Sequence, residues 1–580
     1  MQKNTFFISC VLALAAGCAS DRQEIDTSPR GPALTEPLAQ AVEEDRTTTP
    51  LQAPDPSQLK TEFTPLAKPS FTQRANHSVI GITQGDMAAW PTREATYRER
   101  YEHPGDHGVM RVTEVPVSTF SIDVDTGAYS TMRRWLNQGQ LPPENAVRVE
   151  EYINYFNYDY ERPDTREQPF SVNMEIAPTP WNPSTHLLRI GIQGYEVPAA
   201  QLPDANLVFL VDVSGSMRSR DKLPLLRHAL KLLTDQMGAS DCISLVVYAG
   251  SSGVVLKPTA GDQKAMIKAA LDQLEAGGST NGAAGIRLAY EMARQAFKPE
   301  GVNRVILATD GDFNVGLAST DELVDLVQRQ RESGIALTTL GFGSGNYNDH
   351  LMEQLADEGN GQYAYIDRLS EAQKVLGQQR SGTLMTIARD VKIQLEFNHQ
   401  LVSEYRLIGY ENRALEEEDF DNDRVDAGEI GAGHDVTALY EISLKGQDAQ
   451  RLKPRRYSGE APPARHLEAP ALHADELAFL KIRYKQPKSS RSQLLEYPVL
   501  ARTIKADTSA ASSEWRFAAA VAAFGQQLRG GTFLEDFGYE QIAALAMAAR
   551  GSDAFGYRGE FLQLVRLAES LSVQNHIAGD

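Results

Sequence analysis

The chain has 580 residues, 42% of them hydrophobic, which is enough for several packed domains and too many for a chain disordered throughout. A formal net charge of −20 and a pI near 5.1 argue against a nucleic-acid binder, because phosphate recognition needs a basic footprint. An acidic surface of this kind serves solubility.

The first residues, MQKNTFFISCVLALAAGC, carry one Lys, an apolar run from Phe6 to Ala16 and small residues before a cysteine. This pattern predicts a secretory signal peptide, too short to span a membrane. Ala15-Ala16-Gly17-Cys18 resembles a bacterial lipoprotein cleavage box, with Ala15 in the place usually held by Leu. That resemblance implies that Cys18 is lipidated and, with Ala19 following it, that the protein is sorted to the outer membrane of a Gram-negative bacterium. An ordinary signal cut after Ala15 is the alternative. Cys10 then leaves with the signal, Cys18 carries lipid, and Cys242 stands alone, expected to be a small buried strand residue. From Ala19 to Asp86 the composition turns to Pro, Thr, Gln, Asp and Glu, predicting a disordered tether.

Order resumes near Tyr97. Phe120 and Ile122 alternate into a strand, Thr126–Leu136 reads as a short helix, and Pro142-Pro143 should open a second helix with Val147, Tyr152, Ile153 and Phe156 on its apolar face. Asp123 and Asp125, at the strand end, are read as caps of the next helix, with a metal pair as the alternative. Phe170–Ile176 and the stretch through Leu188, Ile190 and Ile192 alternate with the period of half-buried strands.

Five apolar residues, Leu207–Val211, then run to Asp212, as suits a parallel strand buried on both faces. Asp212, Ser214 and Ser216 follow at alternate positions and offer oxygens to a hard cation, with Gly215 expected in a backbone conformation that other residues resist. Thr280 lies in the glycine-rich stretch GGSTNG before a helical pattern, and Val305–Leu307 runs out into Thr309 and Asp310. In an open α/β sheet these loops leave from the carboxyl edge, where ligands sit. Leu223, Leu226, Leu230, Leu233 and Met237 mark a helix with one buried stripe. Strands near Cys242, Asn303–Ala308, Ile335–Phe342 and Gln362–Ile366 alternate with helices Asp321–Glu332 and Asp349–Ala356, predicting a mostly parallel sheet covered on both faces.

Beyond it, alternation returns at Val391–Phe397, Ala438–Leu444 and Phe479–Tyr484. Half-apolar strands on both sides of an α/β segment need one another as partners, so one β-sandwich carrying an insert is expected. Asp419, Asp421 and Asp423 fall in a solvated acidic hairpin; the alternative is a second cation site, although the sixth place from Asp419 is Arg424, where a helix-loop-helix calcium loop needs Gly. Stripes through Phe517, Val521, Phe524 and Leu528, through Tyr539–Arg550 and through Phe561–Leu571 predict a helical end to the chain.

Asp212, Ser214, Ser216, Thr280 and Asp310 together resemble the metal-ion-dependent adhesion site (MIDAS) of a von Willebrand factor type A domain, all five positions being matched in order. The resemblance implies that Ser214, Ser216 and Thr280 take the inner roles around Mg²⁺ (or Mn²⁺ or Ca²⁺), that Asp212 and Asp310 act largely through water, and that the cation seeks an Asp or Glu of a protein partner. Read as surface-loop residues, Asp212 and Thr280 should be replaceable by Ala with loss of partner binding and little loss of stability.

STFSIDVDTGAYS, VRVEEYINYF and Arg406–Ile442 resemble a group of bacterial exported proteins with an extra N-terminal region and a C-terminal region of uncharacterised function. The expected organisation is a lipoprotein signal peptide (1–18), a tether (19–86), an N-terminal region (97–200), an α/β von Willebrand factor A domain with a doubly wound, mostly parallel sheet (204–380), the remaining sandwich strands (381–510) and a helical region (511–580). The expected activity is metal-dependent protein binding in adhesion or envelope assembly, with no enzyme activity and no nucleic acid, the membrane being reached through the N-terminal lipid. A structural envelope component with a loop-stiffening metal, and a metal-assisted hydrolase, are the alternatives.

Overall fold

The computed structural model describes residues 99–579, apart from 102–104, 164, 166, 199–200, 280–281, 312–319, 454 and 456–472. The signal segment, Cys18 and the tether lie outside the described residues, as does Thr280. Among the described residues no helix is long and apolar enough to cross a membrane.

In chain order the strands are β1 (Met110–Arg111), β2 (Val117–Ser121), β3 (Phe170–Thr179), β4 (Asn182–Gly194), β5 (Ala205–Asp212), β6 (Cys242–Tyr248), β7 (Ser252–Ala260), β8 (Val302–Thr309) and β9 (Ala336–Phe342). They continue as β10 (Tyr363–Ile366), β11 (Thr386–Phe397), β12 (Val402–Ile408), β13 (Ala414–Leu415), β14 (Ile430–Gly431), β15 (Asp435–Leu444), β16 (Glu476–Lys485) and β17 (Ser492–Leu500).

Two antiparallel sheets form the framework, in the orders β1-β12-β15-β4-β3 and β13-β2-β11-β16-β17. Each joins strands from before and after the central domain: Gly191 of β4 faces Thr437 of β15, and Phe120 of β2 faces Ile393 of β11. Their inner faces share one core through Phe120, Phe170, Ile190, Ile192, Leu395, Tyr440 and Ile482, so the expected sandwich with an insert is the architecture found. The alternation in β4 hides a second buried face. Leu187 and Leu439 point away from the sandwich core into a helical layer built on Gly127–Asn137, Val149–Asn154, Ser513–Leu528, Tyr539–Ala548 and Tyr557–Gly579. Gly191 belongs to that side: a Cβ there would sit 2.6 Å from Cε2 of the Tyr160 ring, so no side chain fits.

The central domain has the strand order β10-β9-β8-β5-β6-β7, parallel except for the edge strand β7. Apolar stripes of Leu223–Asp235 and Lys264–Asp272 cover one face, and those of Gly282–Gln295, Thr320–Glu332 and Asp349–Glu358 cover the other. The ends of this insert leave the framework side by side, a Cβ on Gly194 lying 2.9 Å from Cδ1 of Ile387.

Several local expectations are revised. Asp123 and Asp125 do not cap the following helix, whose N-cap is Thr126 without a side-chain bond. They are buried beside Arg413, at 3.4 and 3.6 Å, in an ion cluster that also takes in Asp357 and Glu353 of the central domain. Pro143 precedes only a short turn, Glu144–Ala146, and the second helix starts at Val149. Gly215 has no positive φ; the left-handed glycine near it is Gly278, at φ +91°. Cys242 opens β6 but is half-buried, and burial raises its thiol pKa. Strands β7, β12 and β17 were not expected.

Candidate functional site

The carboxyl edge of the central sheet gathers the ends of β5, β6 and β8. Asp212 closes β5 and is fully buried. Its Oδ1 accepts the backbone N–H of Ser214 at 2.8 Å, and its Oδ2 accepts the hydroxyls of Thr309 at 2.8 Å and Tyr248 at 3.3 Å. Burial, reinforced by the charge of Asp310, pushes the Asp212 carboxyl above its ordinary range, although the bond from Ser214 opposes this. Tyr248 is likewise pushed up, by burial first and by Asp212 second.

Ser214 Oγ and Ser216 Oγ lie 2.9 Å apart, the first buried and the second exposed. The loop between them is fastened to its neighbour: Gly277 N–H donates to Val213 O at 2.7 Å, and Gly215 N–H donates to Gly278 O at 3.1 Å. Gly277 and Gly278 stand just before Thr280, so the chain leading to Thr280 is tied to the serine loop. Asp310 follows β8, nearly buried, and its Oδ2 accepts from Lys222 Nζ at 2.9 Å. The structure therefore brings Asp212, Ser214, Ser216 and Asp310 to one edge, as expected.

Three contributors were not singled out from the sequence. Tyr248 and Thr309 hold Asp212 from adjacent strands, and Lys222 reaches Asp310 from the start of the helix Leu223–Asp235. The signals available were weak: a Thr immediately before Asp310 and a Lys one residue before a leucine stripe.

The three acids of the possible second cation site have separate partners. Asp419 Oδ2 accepts from Glu416 N–H in the capping box of the turn Glu417–Phe420, Asp421 pairs with Arg483, and a hydrogen bond from Ser492 lowers the Asp423 carboxyl. Among the described residues no three His, Cys, Asp or Glu side chains group as they would around one ion.

The donor set of the carboxyl edge, neutral hydroxyls beside buried carboxylates, fits a hard divalent cation. The two serine hydroxyls are hydrogen-bonded to each other at 2.9 Å, an ordinary O–H···O distance. Asp212, with donors on both oxygens, is oriented as an outer carboxylate rather than as a free ligand.

Residues 206–379 match the von Willebrand factor type A domain model, residues 95–189 match a model described as von Willebrand factor, and residues 382–571 match uncharacterized protein YfbK, C-terminal. Uncharacterized protein YfbK of Escherichia coli (strain K12) is 47% identical over 479 residues, covering 82% of this chain and 81% of that protein. Inter-alpha-trypsin inhibitor heavy chain H3 of Mesocricetus auratus is 26% identical over 266 residues, 42% of this chain and 29% of that one. Among solved structures, a von Willebrand factor type A protein from Catenulispora acidiphila is 15% identical with a TM-score of 0.38, covering 71% of this chain and 91% of that one. The ArnB paralog VWA2 from Sulfolobus acidocaldarius is 16% identical with a TM-score of 0.34, covering 70% and 98%. A von Willebrand factor type A domain suggests protein–protein interaction or adhesion.

Proposed function

This chain belongs to the YfbK family and carries a von Willebrand factor type A domain, and from that premise we propose a metal-dependent protein-binding protein of the bacterial envelope. It captures an acidic side chain of a partner at the edge bearing Asp212, Ser214, Ser216 and Asp310. The observation that supports the reading is the donor set of the edge: two neighbouring serine hydroxyls, one of them exposed, beside a buried Asp212 already held by three donors.

Ser214 and Ser216 hold the cation with neutral oxygens, and Thr280 joins them by its place in the motif. Asp212, fixed by Ser214, Thr309 and Tyr248, and Asp310 orient water and supply charge. Bound there, the divalent cation supplies a Lewis-acid position for a carboxylate. Ser216 is exposed, so the open side faces a partner. The use is binding rather than turnover. Cys18 carries the lipid that places the protein in the outer membrane.

The test is calorimetry with Mg²⁺, then with a Glu-containing peptide and its Gln counterpart, on the parent, Asp212→Ala and Ser216→Ala, repeated in chelator. The Glu peptide is expected to bind the parent only when Mg²⁺ is present. Both variants should lose binding. Asp212→Ala will also lose stability, because three buried donors lose their acceptor, at roughly 1–3 kcal/mol for a buried group left unsatisfied. Asp212, buried at the end of β5 and holding three donors, is not the surface-loop residue expected. Ser216→Ala, altering an exposed hydroxyl, leaves the fold intact, and full Mg²⁺-dependent binding by it would overturn the reading.

A further inference from the structure

The site contains a cation supplied by the chain itself. Asp212 is fully buried and Asp310 is 3% exposed. A buried carboxylate needs a positive or hydrogen-bonding partner. The Lys222 ammonium is such a partner, 2.9 Å from Asp310 Oδ2, with its side chain only 12% exposed.

Its position is built rather than incidental. Lys222 is the N-cap residue of the helix Leu223–Asp235, its N–H donating to Ser219 O and its carbonyl accepting from Leu226 N–H at 2.8 Å. Its aliphatic stem lies across Gly343, after β9, where φ is +72° and a Cβ would meet Lys222 Cδ at 2.8 Å. The glycine therefore serves twice, as a left-handed turn residue and as the floor of the channel that carries the lysine to Asp310.

Formal charges then decide what a metal meets. Asp212 and Asp310 with Lys222 sum to −1; a divalent cation in place of the ammonium brings the sum to zero, whereas both cations together leave +1 in a largely buried site. We propose that Lys222 is a resident counter-ion of the adhesion site, holding Asp310 in the metal-free protein and giving it up when a divalent cation binds, so that it sets the divalent-ion concentration at which the site fills. This rests on the reading of the edge as a divalent-cation site. A lysine suits such a role because its ammonium is a single point charge on a flexible stem, released without breaking a bidentate fork.

The experiment titrates Mg²⁺ and Mn²⁺ into the full chain by calorimetry, for the parent, Lys222→Met and Lys222→Arg, and records melting in chelator and in saturating Mg²⁺. Lys222→Met should bind Mg²⁺ at least tenfold more tightly, melt lower than the parent in chelator, and recover the difference when Mg²⁺ is saturating. Lys222→Arg, which keeps the charge, should bind no more tightly than the parent. If Lys222→Met does not fold in chelator, its recovery on adding Mg²⁺ supports the proposal, and failure to recover overturns it. Equal or weaker Mg²⁺ binding by Lys222→Met, with the parent binding normally, overturns the counter-ion role alone. Absence of Mg²⁺ binding from parent and variant alike overturns the metal site itself, and the counter-ion role with it.

Discussion

Burial favours the protonated form of the Glu150 carboxyl, and its replacement by Gln tests this directly. The side chain is 1% exposed, and its Oε2 has no hydrogen-bond partner. The left-handed Gly409 lies so close that a Cβ there would meet Oε2 at 2.8 Å. Burial first, then the neighbouring charges of Glu411 and Asp123, push its pKa from 4.5 up to about 8. Folding thus raises the carboxyl above its unfolded value. Between those two pKa values the folded protein holds a proton that the unfolded chain has released. Stability from this group is full below pH 4.5 and falls as pH rises toward 8, by about 1.4 kcal/mol per unit, or roughly 4 kcal/mol from pH 5 to pH 8. Glu150→Gln removes that slope while keeping the shape. Other raised carboxyls, Asp435 at about 7 and Glu429 at about 8, are common to both proteins and cancel in the difference, whereas Glu411, at about 7 and interacting with Glu150, eases when that charge is removed and adds to the change in the same direction. Denaturant unfolding of parent and variant at pH 5, 6, 7 and 8 measures it. The two should be similar at pH 5, with the variant gaining steadily above it. Parallel pH slopes, or a variant less stable at pH 8, would refute the reasoning.

Two further outcomes follow from packing. Arg148 is buried against Glu151, Asp349 at 2.5 Å and Glu353 at 3.4 Å, so Arg148→Met strands those acids and should cost about 3–5 kcal/mol, read as a drop in denaturant midpoint. Gly191→Ala drives a methyl into the Tyr160 ring and should cost about 1–3 kcal/mol, with Tyr160→Ala in the same chain losing less than the two single costs added.

Local chemistry was what the sequence made legible. LVFLVD reads as a strand buried on both faces, the leucine stripe of Leu223–Asp235 reads as a helix, and the oxygens of Asp212, Ser214, Ser216 and Asp310 fall on one edge because strand ends in a parallel sheet must. The sandwich was legible because half-apolar strands cannot be left unpaired. What escaped depends on residues far apart in the chain. Asp123 and Asp125 looked like caps because Arg413, their buried partner, lies nearly three hundred positions away in sequence. Lys222 drew no reading from the sequence because Gly343, which lets it reach Asp310, comes from another loop. The second buried face of β4 was hidden because Arg189 and Gly191 break its apolar text, yet both lie under Tyr160. Asp212 was taken for a loop residue, though the hydroxyls that enclose it come from the adjacent strands β6 and β8.

Two stretches of chain entering a domain side by side would ordinarily act as a hinge. Here the hinge is locked at a distance from its pin: Arg133 reaches Asp367 and Glu371, Arg148 reaches Asp349, and Arg413 reaches Asp357, all across the seam between framework and insert. Each of these arginines is nearly out of water, so letting the insert swing would expose a desolvated ion cluster rather than slide one smooth face over another. The carboxyl edge of the central sheet is consequently carried on a stiff arm. A tug at Asp310 is borne by the sandwich and the helical layer together, and not by the two connecting strands of backbone.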